Sequence, residues 1–155
     1  MNPTIREARA SDITAIVRLL ADDPLGATRE SFDSPLPDSY RQAFDAIKKD
    51  PNNELVVALQ DEIVVGVLQL TFIPYMTYQG GWRALIEGVR VSARHRSQGI
   101  GQKLFEWAIE RARERHCHML QLTTDKSRPE ASRFYEKFGF VPSHHGMKLK
   151  LEIGR

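Results

Sequence analysis

The sequence predicts a mixed α/β domain, and three observations carry that prediction. Two runs rich in β-branched residues, Glu54 to Leu59 and Ile63 to Leu70, are separated only by the polar Gln60-Asp61-Glu62, as in a hairpin of antiparallel strands. From Leu85 to Thr124 the chain reads strand, helix, strand, the pattern of two parallel strands joined by a right-handed crossover. At the centre of that unit, Arg96-Ser97-Gln98-Gly99-Ile100-Gly101 stands between an apolar strand and an amphipathic helix.

Taken in order, Thr4 to Ala8 alternates around Ile5 as a short first strand. Ser11 or Asp12 can then cap a helix with Ile13, Ile16, Val17 and Leu20 on one face. Asp22 to Gly26 ends that helix, and Ser34-Pro35-Leu36-Pro37 delays the next until about Asp38. The second helix runs to about Lys48 with Tyr40, Phe44 and Ile47 on its apolar face. So long a connection between two helices points to a binding or lid role in a compact domain. After the hairpin, Thr71 to Arg83 is expected as a long loop rich in aromatic residues (Tyr75, Tyr78, Trp82). Such a loop suits either a cover over the core or the wall of an acceptor pocket.

Ala84 to Val91 is the fourth strand, with Val89 and Val91 in alternation and Gly88 inside it. A glycine within a strand marks a bulge or a close backbone approach. From Gln102 to about Arg115, Leu104, Phe105, Ala108, Ile109 and Ala112 form a one-faced helical stripe. His118 or Met119 to Thr124 supplies a fifth strand. A helix starts near Pro129, a residue suited to a first turn, and ends by Gly139. Phe140-Val141 and Met147 to Ile153 are expected as two final strands. The order is strand, helix, helix, three strands, helix, strand, helix, two strands, within one domain over residues 1–155. A chain of this size buries roughly two thirds of its unfolded surface around a single core.

Composition excludes several classes. The formal net charge of +2 argues against a dedicated nucleic-acid binder. No apolar run approaches the roughly 20 residues that span a bilayer, so no membrane association is expected. The N-terminal residues lack the basic-then-apolar layout of a signal peptide, which with the single cysteine, Cys117, suggests a reducing, cytoplasmic setting. In His116-Cys117-His118 a strand would turn Cys117 away from both histidines, and no metal is expected there or at His144-His145. Charge is unevenly spread: Arg90, Arg94, Arg96 and Lys103, with His95, surround the glycine turn. Asp22 to Asp38 instead carries Asp22, Asp23, Glu30, Asp33 and Asp38 against Arg29 alone, which reads as a solvated loop or as a wall that attracts a cation.

The turn itself has a chemistry. Glycines without a Cβ let backbone N–H groups approach a ligand closely, and the positive end of the following helix dipole points at the same place. An anion is expected there.

Arg-x-x-Gly-x-Gly after a Val-x-Val strand resembles the acetyl-CoA-binding motif of the GNAT superfamily of N-acetyltransferases. Phe134-Tyr135-Glu136-Lys137-Phe138-Gly139-Phe140 resembles that family's second signature. The resemblance covers nearly the whole chain, sharpest from about Leu85 to Phe140 and loose before Leu55. It implies a GNAT-type acyl-CoA N-acyltransferase fold whose fourth and fifth strands splay apart, with acetyl-CoA in the gap and no metal. By the same resemblance, backbone groups of Val89 and Val91, on either side of Arg90, hydrogen-bond the pantetheine arm. Arg96 and the N–H groups of Ser97, Gln98, Gly99, Ile100 and Gly101, with Gln102 and Lys103, take the pyrophosphate. Arg94 or Lys103 suits the 3′-phosphate, or else is solvated surface.

Glu87 matches a position that carries a general-base glutamate in several members of the superfamily. Burial within an apolar strand would raise its pKa toward that task, the alternative being a satisfied structural carboxylate. Tyr135 matches the tyrosine that acts as general acid near the CoA sulfur in relatives. Many of them carry an asparagine seven residues before that tyrosine, where this chain has Arg128. The reading that follows is transfer of the acetyl group of acetyl-CoA to a primary amine of a small molecule, directly, in a ternary complex. A protein N-terminus or lysine as acceptor stays open, as do a non-catalytic acyl-CoA-binding module and a homodimer. The fourth strand and the helix after it also resemble aminoalkylphosphonate acetyltransferases, but a comparable histidine-rich acceptor loop is missing and that substrate is not inferred.

Overall fold

In the computed structural model, which describes residues 2–153, the β-branched runs form the centre of a mixed five-stranded sheet. Strands β1 (Thr4–Glu7), β2 (Asn53–Gln60), β3 (Ile63–Pro74) and β4 (Trp82–Val91) pair antiparallel in chain order, and β5 (Met119–Gln121) lies beside β4. The β2–β3 turn puts Asp61 and Glu62 at φ 51° and 66°, the left-handed pair whose twist suits a two-residue hairpin. The described residues divide into two compact units, one up to Leu120 and one from Gln121. No helix in either is long and apolar enough to cross a membrane.

Alternation along the strands gives the sheet of the first unit two different faces. Leu55, Val57, Leu59 and Val67 face helices α1 (Ile13–Ala21) and α3 (Asp38–Lys49), and meet Ile16, Leu19 and Phe44 in a buried cluster. On the other face lies α5 (Ile100–Glu114), burying Ile100, Leu104, Phe105, Ala108 and Ala112. Its approach depends on Gly66 of β3: a Cβ there would lie 3.1 Å from Leu104 and 3.2 Å from Ile100, tighter than ordinary contact. The far end of α5 is fixed by Arg111, bonded to Glu54 at 2.7 Å, and by Arg115, whose guanidinium lies 4.0 Å from the centre of the buried Phe72 ring.

Asp12 stands at the N-cap position of α1, one of the two expected, but its side chain bonds no N–H of that helix. It is buried at 6% exposure and accepts the Arg6 guanidinium at 2.7 and 3.1 Å and the Arg9 N–H at 2.7 Å, tying β1 to the helix entry. The hydrogen bond from Arg6 holds this carboxyl below its usual range. Between α1 and α3 the chain makes one further turn of helix, α2 (Gly26–Arg29).

Two expectations about strands fail. The long loop at 71–83 is shortened from both ends by strand: Phe72, Ile73 and Pro74 pair with Ala84, Arg83 and Trp82, leaving a connection of residues 75–81 around a single turn, α4 (Thr77–Gly80). Phe72, 1% exposed, explains this, because pairing carries its ring into the core. In the second unit, by contrast, neither 140–141 nor 147–153 forms a strand. Alternation in Met147, Leu149, Leu151 and Ile153 sorts side chains to one side, but a strand needs a ladder partner, and these residues are exposed without one. That unit contains α6 (Pro129–Lys137), closed by Gly139 at φ 95°.

Candidate active site

The site begins with an irregularity in β4. Val67 pairs with Arg90 and Gln69 with Glu87, so Gly88 and Val89 together stand opposite Leu68. This is the expected bulge, with Gly88 at φ 62°, a conformation that residues with a Cβ rarely adopt. The extra residue reverses the alternation. Glu87 and Arg90, three apart, would face opposite sides of a regular strand; here they share the side of α1 and α3, because their partners Gln69 and Val67 do. Val91 pairs with Gly66 and points to the α5 side.

β5 reaches β4 at the other end. The His118 N–H donates to the Trp82 carbonyl at 2.9 Å, and three residues of β5 adjoin a β4 of ten. The part of β4 from Glu87 to Val91 therefore lies beyond that short ladder, as a splayed pair requires.

Glu87 is exposed, so the burial expected for it is not found. Past Val91, a turn of 3₁₀ helix at Ala93–His95 leads into the glycine turn. Only Gly99 of the two glycines uses its freedom: it adopts φ 80° as the residue before α5, whereas Gly101 is already helical. Ser97 is also left-handed at φ 64°. The first bond into α5 runs from the Lys103 N–H to the Gly99 carbonyl at 3.0 Å, and N–H groups ahead of it have no partner within the helix. Arg96, Ser97, Gln98 and Lys103 are exposed around them, and Gln102 donates to Glu106 at 3.0 Å. Ile100 is 1% exposed and contributes only its backbone.

Arg90 behaves differently from the other cations of the turn. Its Nε lies 2.7 Å from Oδ2 of Asp23, with the two side chains 16% and 7% exposed, and its Nη1 donates to the Val89 carbonyl at 2.7 Å. Asp23 also accepts the Gly26 N–H at 2.6 Å. The acidic stretch is therefore only partly a solvated loop: Asp22, Asp33 and Asp38 are exposed, while Asp23 and Glu30 are held by partners. Glu30 accepts the Tyr40 hydroxyl at 2.9 Å, that hydroxyl accepts the Ser31 N–H at 2.9 Å, and the Ser31 hydroxyl donates to Asp33. Burial, with Glu30 beside it, pushes the Tyr40 phenol up. The pairing of Asp23 with Arg90 escapes a sequence reading that assumes regular alternation; counting one extra residue at Gly88 is the signal that finds it.

Around the 75–81 connection, Arg83 stacks on Tyr75 and Tyr78, 4.8 and 5.0 Å from their ring centres, and Tyr78 stacks on His118 at 5.1 Å. This aromatic group is partly solvent-facing, with Tyr78 64% exposed. Burial pushes the Cys117 thiol up, away from reactivity. Among the described residues, no three His, Cys, Asp or Glu side chains come together as a metal set. In the second unit, Tyr135 lies on α6, its ring edge-on to Phe134 at 5.8 Å and to Phe140 at 6.2 Å, and Arg128 precedes the helix.

Known proteins share this plan. The model of the acetyltransferase (GNAT) family matches residues 15–140. A solved chain titled as a transcriptional regulator from Bacillus halodurans C-125 superposes with a TM-score of 0.95 at 59% identity, over 97% of this chain and 100% of that one. An aminoalkylphosphonate N-acetyltransferase of Salmonella typhimurium is 33% identical over 106 residues, 68% of each protein. An L-methionine sulfoximine/L-methionine sulfone acetyltransferase of Pseudomonas paraeruginosa is 26% identical over 100% of this chain and 90% of its own length.

Proposed function

The chain belongs to the acetyltransferase (GNAT) family, and from that premise we propose that it transfers the acetyl group of acetyl-CoA directly to a primary amine of a small molecule. The observation that carries this reading is the Gly88 bulge, which puts Glu87 on the same side of the sheet as Arg90, the partner of Asp23 in the acidic loop, while the strand's end runs into the glycine turn. Donor and acceptor sides then meet at one irregular strand. We read residues 1–155 as a single acetyltransferase domain, since the family match at 15–140 runs across both compact units.

The turn fits a pyrophosphate. A Cβ built on Gly99 meets no atom within 4 Å, so the space there is open, and N–H groups without a partner in the helix follow it beside exposed Arg96 and Lys103. Backbone groups of Val89 and Val91 suit the pantetheine arm. When bound, acetyl-CoA supplies an acyl group activated as a thioester. Glu87 takes the proton that the attacking amine must lose, directly or through water, and its exposure leaves it open to both routes. The Tyr135 phenol supplies a proton to the departing sulfur. Both curated relatives are named for acetylation of small amino compounds, which favours a small acceptor here. Exposed Asp22 and Asp38 of the acidic stretch also favour an ammonium group nearby.

The test is a panel of small amines assayed by release of free CoA thiol, with the wild type, Glu87→Gln and Tyr135→Phe. With the best acceptor, each variant is expected to lower kcat by about a hundredfold or more. Unchanged turnover in both variants would falsify the assigned roles. Turnover with a peptide N-terminus or lysine but with no small amine would replace the acceptor.

A further inference from the structure

Arg90 was a candidate for the CoA phosphates by its position in the sequence, yet its guanidinium lies against Asp23. We propose that Asp23 and Arg90 form a positioning pair that ties the acceptor-side loop to the donor strand, so that the loop at 22–37 takes up its working place only while the pair is intact. This rests on the reading above, in which β4 carries the donor and the loop borders the acceptor.

Each end of the pair is anchored to backbone. On the loop side, Asp23 accepts the Gly26 N–H at 2.6 Å through its other carboxylate oxygen, and its carbonyl accepts the Ala27 N–H at 2.8 Å. Gly26 leaves no freedom there, since a Cβ on it would lie 1.9 Å from the Leu20 carbonyl oxygen at the end of α1. On the strand side, Arg90 donates to the Val89 carbonyl at 2.7 Å, within the bulged segment proposed to bind pantetheine. A guanidinium held this way has its charge compensated within the protein, unlike exposed Arg96 and Lys103. The pair also depends on Gly88, because only the bulge puts Arg90 on the side of the sheet where Asp23 can meet it. Tyr40 holds the far part of the loop through Glu30 and Ser31, and the Asp23–Arg90 pair holds its beginning; a loop fixed in this way binds its ligand preformed, and loss of the pair makes binding bear the cost of ordering that beginning.

The full-length chain tests this with Asp23→Asn, Arg90→Gln, the double variant and the charge-conserving Asp23→Glu. With the best amine, Asp23→Asn is expected to raise the acceptor KM about tenfold while kcat and the CoA dissociation constant move less than about twofold. Asp23→Glu should recover part of that loss. The double variant should be no worse than the worse single one, the mark of residues acting as a unit. Additive losses, an unchanged acceptor KM, or a CoA affinity that falls as far as the acceptor KM rises would each overturn the proposal.

Hydrogen exchange keeps the pair separable from the proposed reaction. Without any ligand, amides of residues 24–30 should exchange faster in Asp23→Asn than in the wild type, and in the wild type CoA should slow them further. Unaltered exchange in the variant refutes the tie whatever the enzyme acetylates. Should no amine in the panel react, the acceptor reading fails alone, and the exchange comparison still decides whether the pair holds the loop. If Asp23→Asn does not fold, exchange in Asp23→Glu and the response of the wild type to CoA decide; no slowing of 24–30 by CoA in the wild type overturns the proposal.

Discussion

The glycine turn at 96–101 and the acidic loop at 22–38 carry opposite charge and use it in opposite ways. At the turn, Arg96 and Lys103 stand in solvent beside helix N–H groups that have no partner in the helix. In the loop, Asp23 is ion-paired with Arg90, and Glu30 and Asp33 accept hydrogen bonds from Tyr40 and Ser31. A charge left in water keeps its capacity to meet a ligand, whereas a charge already compensated by the fold shapes the backbone around it. By that criterion the turn is the part proposed to bind and the loop the part proposed to position. Both read as charge clusters in the sequence.

The contrast can be broken at several points. The largest effect is expected at the turn itself: Gly99→Glu puts a Cβ at φ 80° and a negative charge where an anion belongs. It should weaken CoA binding by at least about a hundredfold in a calorimetric titration. Retained affinity would remove the turn from the donor site.

Next comes a carboxylate that is wholly structural. Asp12→Asn should cost about 2 kcal/mol in urea unfolding at neutral pH, the scale for buried hydrogen bonds to a charged group. The folded carboxyl is held below its unfolded value of about 3.9, so this contribution is complete above that value and is lost as pH falls through the lower, folded one. The gap between variant and wild type should therefore close as pH is taken below about 4. A gap that stays constant on acidification would show that the ion pair is not its source.

Arg96→Ala is expected to weaken CoA binding about tenfold, with a smaller loss in high salt, because the interaction is charged and solvent-exposed. Stability should not move. Tyr40→Phe should do the reverse, costing about 1 kcal/mol of stability through the lost bonds to Glu30 and Ser31 and leaving CoA affinity unaltered. If Arg96 proves structural and Tyr40 governs affinity, the division between binding turn and positioning loop is wrong.

Much of this was legible in the sequence because it rests on local rules. The strand, turn and helix from Ala84 to Glu114, the bulge at Gly88 and the entry into α6 at Pro129 each follow from residues adjacent in the chain. Contacts between distant residues decide the rest. Phe72 to Pro74 became strand because their partners lie at Trp82 to Ala84, and a run of aromatics does not announce its pairing. Residues 147–153 have the alternation of a strand but no ladder in their unit. Asp12 was read as a helix cap, the local role of its type, while Arg6 and Arg9 claimed its oxygens. Glu87 sits in an apolar strand, yet it is exposed, beside the bulge.

Gly66 touches no proposed ligand, yet it acts on the site as a spacer of zero thickness. The helix behind the glycine turn rests on this position through Ile100 and Leu104, and Val91, at the end of the donor strand, is paired with the same residue. One missing methyl group thus sets the gap between two halves of a cradle whose parts come from different elements. A methyl added there would press on the Leu104 and Ile100 side chains of the first turns of α5 and on Ala58, each of which would have to give by a few tenths of an ångström. On the proposed reading, donor affinity becomes a property that the core can tune, with every residue that faces the ligand left as it is.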